Sequence, residues 1–251
     1  MRVEELLRES AARNGPGVAI VAGRGRHSYA ELDVKSDRLA LALQSRGFRA
    51  RDRLAAFMDN GFAAAVSLFA TLKAGGVFNP IDPSLPAEEL AQSLEAGASV
   101  AIATDSRRAS VSGAALALAR SVRLVVLTGG NLAPATPTCL SFEEVVGRTS
   151  QQLHPAPACE DSDPALAFGR AAPFSHREVL AAAAGEAETL AGLSGGGESG
   201  LLRLIAAIRA GTTMVLGTRA DRAIGLPAFA APQAARYAEA GAGRIDSPRI
   251  G

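Results

Sequence analysis

The chain has 251 residues, 48% of them apolar and 20% charged, with a formal net charge of +1. That is globular composition, enough for one large or two small domains, and it excludes a disordered chain. Near-neutrality argues against a nucleic-acid or membrane partner recruited by bulk electrostatics.

The N-terminal stretch MRVEELLRESAARNG reads as an amphipathic helix with Leu6, Leu7 and Ala11 on one face, ended by Asn14-Gly15. Its mixed charge is not the layout of a signal peptide. No apolar run approaches the roughly 20 residues of a membrane span. In VAIVAGRGRHSY, Gly23-Arg24-Gly25 joins two short strands as a hairpin. Ser28 and Glu31 form a capping box for a helix that carries Leu32, Leu39 and Leu43 and stops at Gly47.

An alternation of strands and helices follows. Residues 53–58 predict a strand, Phe62 to Ala74 a helix ended by Gly75-Gly76, and VFNPID a strand and turn. Pro86 opens a helix from its first turn. Strands are expected at 100–104 and 123–128, with a helix at 112–120 between them. Residues 129–140 read as a Gly/Pro/Thr loop, Ser141 and Glu144 as a second capping box, and 149–163 as a polar connector. A strand ALAF, a junction GRAAPF (169–174) and a helix from His176 to Ala191 come next, with Ser175 and Glu178 as a third capping box. The loop SGGGESG, a helix at 201–209 and a strand TTMVLG complete the pattern. Continuous apolar strands separated by single helices predict an α/β fold, a twisted and mostly parallel sheet with helices on both faces. After Gly217 the signal fades. The tail 217–251 is expected to be partly packed or disordered, with a short helix near 234–240.

Several segments invite a chemical reading. Cys139 and Cys159 are the only cysteines, without His or Cys at zinc spacing. They read as reduced thiols of a cytoplasmic protein, and the three scattered histidines suggest no metal site. LTGGN (127–131) follows a strand but lacks the third glycine and the prompt helix of a dinucleotide loop. SGGGESG (194–200) lacks a following Gly-Lys-Ser/Thr, follows a helix, and carries Glu198, so it reads as a connector. His27 and His154 sit in turn-like contexts and are expected to face solvent. Ser175 beside His176 is not a triad, since no oriented acid or oxyanion hole can be read.

Ser28-Tyr29-Ala30-Glu31-Leu32, Leu72-Lys73-Ala74-Gly75-Gly76-Val77 and Pro80-Ile81-Asp82-Pro83 stand in the order and spacing of a known family. The chain resembles the N-terminal domain of the adenylate-forming superfamily: acyl- and aryl-CoA synthetases, luciferases and adenylation domains of nonribosomal peptide synthetases. The resemblance is strong over 1–128 and traceable to about 216. These pieces are architectural and imply the fold rather than the activity.

The family's chemistry needs a Ser/Thr/Gly-rich loop ending Pro-Lys-Gly, after a strand that begins Asp-Pro. Its backbone N–H groups and lysine orient phosphate. Here Asp163-Pro164 and the strand are present, and Ser175-His176-Arg177 resembles the helix entry. Between them GRAAPF has one glycine, no lysine and no hydroxyl. No Tyr-Gly-x-Thr-Glu and no Thr-Gly-Asp stretch is found, and the C-terminal catalytic domain is read as absent. Lys35 and Lys73, the only lysines, match scaffold positions.

The resemblance therefore implies a catalytically degenerate member, a pseudoenzyme in an acyl- or aryl-acid activation or biosynthetic pathway. No catalytic residue, metal or cofactor is expected. Arg170, Ser175 and His176 are the candidate ligand-binding residues. Arg170 is a phosphate-binding arginine or a solvated charge, and a single cation without a glycine cradle favours the second. His176 at a helix start, where the dipole disfavours imidazolium, reads as a packing or hydrogen-bonding residue. The expected partner is a protein (a synthetase or carrier protein) or a second copy, with an acyl or aryl carboxylate as the ligand if binding is retained. Two alternatives stand: an active ligase using ATP/AMP and Mg, completed by a partner chain, and a structural dimerisation module.

Overall fold

In the computed structural model, residues 1–130, 138–148, 155, 159–168, 172–190 and 200–216 are described. Helix α1 (Val3–Asn14) leads into the hairpin β1 (Val18–Ala22) and β2 (Gly25–Ser28). Helix α2 (Tyr29–Ser45) starts where Ser28 Oγ accepts from Glu31 N at 3.1 Å, the cap expected from the sequence. Then come β3 (Arg53–Phe57), α3 (Phe62–Lys73), β4 (Val77–Pro80), α4 (Ala87–Ala96), β5 (Ser99–Asp105), α5 (Ala109–Leu118) and β6 (Leu124–Thr128). The chain continues through β7 (Thr138–Ser141), α6 (Phe142–Gly147), β8 (Pro164–Leu166), β9 (Phe174–Ser175), α7 (His176–Leu190), α8 (Gly200–Ala210) and β10 (Met214–Leu216).

Seven strands form one sheet in the order β7-β6-β5-β3-β4-β8-β9, parallel except for the β8–β9 pair. Side chains alternate between two cores, as strand geometry demands. Leu54 and Ala56 of β3 join Ala101, Ala103, Leu124 and Val126 under α1, α2, α3, α6, α7 and α8. Ala55 and Phe57 join Ile102 and Val125 under α4 and α5. The continuous apolar strands thus serve a sheet covered on both faces.

Four local expectations are corrected. Thr138–Ser141, within the expected loop, is a parallel edge strand whose Leu140 pairs with Val126 and turns inward. At four residues with two of them exposed, it is too short to leave a period-2 signal. The helix expected at 112–120 begins earlier. Asp105 accepts from Arg107 N and Arg108 N at 3.0 and 3.2 Å and starts a 3₁₀ turn that runs into α5. Pro86 is the residue before the first turn of α4, not within it. TTMVLG does not join the large sheet: β10 runs parallel to β1 in a separate three-stranded sheet, β10-β1-β2.

The Gly75-Gly76 pair has two distinct causes. Gly75 has φ +78, which ends α3 in the left-handed region. A Cβ on Gly76 would lie 2.4 Å from Phe48 Cε1 and 2.8 Å from Asp52 O. Gly76→Ala is expected to cost about 1–3 kcal/mol by overpacking. Urea unfolding checks it, and an unchanged midpoint would mean that Phe48 yields freely.

Candidate functional site

The loop after β3 leads to α3 on one face of the sheet, and the loop after the adjacent β4 leads to α4 on the other. Chains that part to opposite faces leave a crevice at the carboxyl ends of the two strands, the usual ligand position in open α/β sheets. A cleft lies there, lined by Met58, Asn60 and Gly61 after β3, Pro80 of β4, and Leu201 and Leu216 opposite. It encloses about 30 Å³. That is room for about one water, against the roughly 300 Å³ or more of small-molecule pockets.

The junction GRAAPF follows β8, which lies next to this crevice. Strand β8 lies beside β4, Phe78 opposite Leu166, with Ala167 N donating to Phe78 O at 2.9 Å. The chain then returns at once: Leu166 pairs with Phe174 and Pro164 with Ser175 in an antiparallel hairpin. Phe168 and Phe174 meet edge to face, ring centroids 5.9 Å apart, across the neck of the connection.

The three candidate residues have different fates. Arg170 lies outside the described residues. Ser175 caps α7: its N–H and Oγ both donate to Glu178 Oε2 at 2.8 Å, and its Oγ accepts from Glu178 N at 3.3 Å. His176 is 1% exposed, and its Nδ1 accepts from Val3 N at 3.2 Å. Burial lowers its pKa to about 4, helped by the neighbouring Arg2 charge. Both described candidates are thus engaged by the protein itself.

The remaining segments read for chemistry resolve as follows. Gly129 N, in the glycine-rich turn after β6, donates to Glu143 Oε1 at 2.9 Å, so a carboxylate of the chain already takes that N–H. Residues 194–199, His154 and the tail from 217 lie outside the described residues. His27, expected to face solvent, instead stacks on Phe62 at 3.6 Å and lies 3.1 Å from Glu31 Oε1. A flat imidazole face covering an aromatic ring overrides the turn-like sequence context. Among the described residues no His/Cys/Asp/Glu cluster could hold a metal, and no helix is long and apolar enough to cross a membrane.

Both lysines are committed. Lys35 Nζ donates to Glu31 Oε1 at 2.6 Å. Lys73, 1% exposed, reaches Asp33 Oδ1 at 2.5 Å and Asp37 Oδ1 at 2.7 Å, and donates to Asp33 O at 2.8 Å. Glu4, not among the residues singled out from the sequence, is buried against His176, its Oε2 3.4 Å from Nδ1. Burial raises the Glu4 pKa to about 7. One signal was available: Glu4 stands three residues before Leu7, in line with the apolar stripe of α1.

Comparison with known proteins agrees with this architecture. The chain is 37% identical over 92 residues to tyrocidine synthase 2 of Brevibacillus parabrevis, a match covering 37% of this chain and 3% of that protein. Coronafacic acid ligase from Pectobacterium brasiliense superposes with a TM-score of 0.76 at 16% identity, over 91% of this chain and 48% of that one. Benzoate CoA ligase from Burkholderia xenovorans LB400 gives 0.73 at 19% identity, over 86% and 45%. The chain spans about half the length of these two solved structures and a small fraction of the curated relative. The AMP-binding enzyme family model matches residues 7–168, from α1 to Phe168. On that match, over more than half its length, the chain belongs to the AMP-binding enzyme family.

Proposed function

We propose that this chain is a non-catalytic member of its family that acts by binding a protein partner, a synthetase or carrier protein of an acid-activation pathway. The carrying observation is the β8–β9 hairpin. Only residues 167–173 connect the two strands, with Gly169 as their one glycine and no lysine, serine or threonine. Phosphate positioning needs several converging N–H groups and a cation, because charge builds on the phosphoryl oxygens in the transition state. A connection this short, with one glycine, Arg170 as its one cation and two phenylalanines at its neck, is poor in the means to build such a cradle.

Two observations support the reading. Lys35 and Lys73 are bound to carboxylates of the scaffold and supply no phosphate-binding ammonium. The described cleft is too small for an acyl or aryl acid. What the chain retains is a scaffold with two intact cores, suited to recognition by a partner.

Calorimetry with Mg-ATP up to millimolar concentration tests this, together with acid-dependent pyrophosphate exchange. The expected outcome is no saturable heat and no exchange. Saturable ATP binding would replace this reading with the ligase completed by a partner chain.

A further inference from the structure

We propose that the amino-terminal end of the large sheet is a docking surface for an acidic protein segment. The inference rests on the partner-binding reading and names where that partner sits and what it carries. Six arginines collect at this end, opposite the crevice at the carboxyl ends of β3 and β4. Arg46, Arg49, Arg51 and Arg53 run from the end of α2 to the start of β3, and Arg120 and Arg123 precede β6. Arg53 is partly buried and the other five are exposed.

Topology gathers them. Strands β3, β5 and β6 are successive and parallel, so their first residues share one rim. Arg123 Nη2 donates back across that rim to Asp52 Oδ2 at 2.7 Å and Gly47 O at 3.3 Å, which holds the segment before β6 against the turn before β3. The carboxylates of the rim are already committed. Asp52 takes Arg123 and the Arg49 N–H, Asp163 takes Arg51, and Glu95 takes the N–H groups of Arg120 and Ser121. Among the described residues, the side chains of Arg46, Arg49, Arg53 and Arg120 form no ion pair with a carboxylate.

Arg51 adds an independent observation. Its φ is +67, in the left-handed region that favours glycine, and its side chain is 71% exposed. An exposed ion pair such as Arg51–Asp163 contributes little to stability. Stability therefore gives no reason for an arginine at a strained position, whereas a guanidinium held outward for a partner does.

Guanidinium forks pair with carboxylates and phosphates alike. Two features favour the carboxylates of a protein. Nucleic acids and anionic bilayers are held by a broad positive field, but here Asp52, Glu95 and Asp163 interrupt the patch and the whole chain carries only +1. Base stacking needs an exposed ring, and Phe48, the aromatic residue of this turn, is buried.

The test is fluorescence anisotropy of the full chain with a labelled, glutamate-rich helical peptide. We expect saturable binding that weakens as salt is raised. Arg46→Gln, Arg49→Gln and Arg120→Gln together should weaken it about tenfold or more. These side chains make no hydrogen bond or ion pair with described residues, so the urea midpoint of the triple variant should be unchanged. The same peptide with glutamine for glutamate should not bind. Arg107→Gln, 80% exposed at the opposite end of the sheet, should bind like the natural chain. Absence of saturable peptide binding, an equal loss in Arg107→Gln, or tighter binding of a single-stranded RNA or a phosphatidylserine vesicle would overturn the proposal. Its failure is distinct from that of the non-catalytic reading: no peptide binding and no ATP binding removes the docking surface alone, whereas saturable Mg-ATP binding strikes the non-catalytic reading whatever the peptide does.

Discussion

Replacing Lys73 by alanine is expected to destabilise the fold by about 3–5 kcal/mol, the cost of leaving buried carboxylates without their cation. Lys73 is the last residue of α3, and its ammonium spends its donors on Asp33 Oδ1, Asp33 O and Asp37 Oδ1. The alanine variant would keep Asp33 and Asp37 in place against the core of α1, α2 and α3 without the ammonium that holds both carboxylates. Urea unfolding measures the loss. Lys73→Met together with Asp33→Asn and Asp37→Asn is the control. Removing all three charges should recover most of the stability, because a buried ion network against an apolar or neutral replacement is close to break-even. A triple variant as unstable as Lys73→Ala would show that volume and not charge carries the effect. In either outcome the lysine is read as scaffold, in line with its place in the Leu72-Lys73-Ala74-Gly75-Gly76 stretch.

Stability should be nearly flat between about pH 4.5 and 6.5 in the natural protein as far as Glu4 and His176 are concerned, and sloped in opposite directions when either is removed. Glu4 has a raised pKa, about 7 against 4.5. The folded state then binds the proton that the unfolded chain releases, so its stabilisation is full below about 4.5 and lost as pH rises through 7. His176 has a lowered pKa, about 4 against 6.5. Its contribution is full above about 6.5 and lost as pH falls through 4. The two slopes cancel where they overlap. In Glu4→Gln only the histidine slope remains, so the variant should become acid-labile. In His176→Gln only the carboxyl slope remains, so stability should fall as pH rises. Each slope amounts to about 3 kcal/mol over its window, at roughly 1.4 kcal/mol per pKa unit. Urea midpoints at roughly one-unit steps from about pH 4.5 to 7.5 decide it. Parallel profiles for the natural chain and both variants would mean that neither group is perturbed by folding.

Local sequence sufficed for the alternation of strands and helices and for the helix caps at Ser28, Ser141 and Ser175. These depend on contacts within a few residues and on the periods of 3.6 and 2, which are written along the chain. The packing of distant segments settled the rest: β10 leaves the large sheet for β1, at the other end of the described chain, and Glu4, Asp33 and Lys73 lie inside. A local pattern cannot assign a strand its partner, because pairing is fixed by which edge remains open once the other elements have packed. Nor can it distinguish a solvated charge from a buried one, since burial is set by helices that arrive from elsewhere in the chain. The candidate site divides the same way. The composition of GRAAPF was legible, whereas the seating of His176 against Val3 and Glu4 joins segments far apart in the chain and required the packed structure.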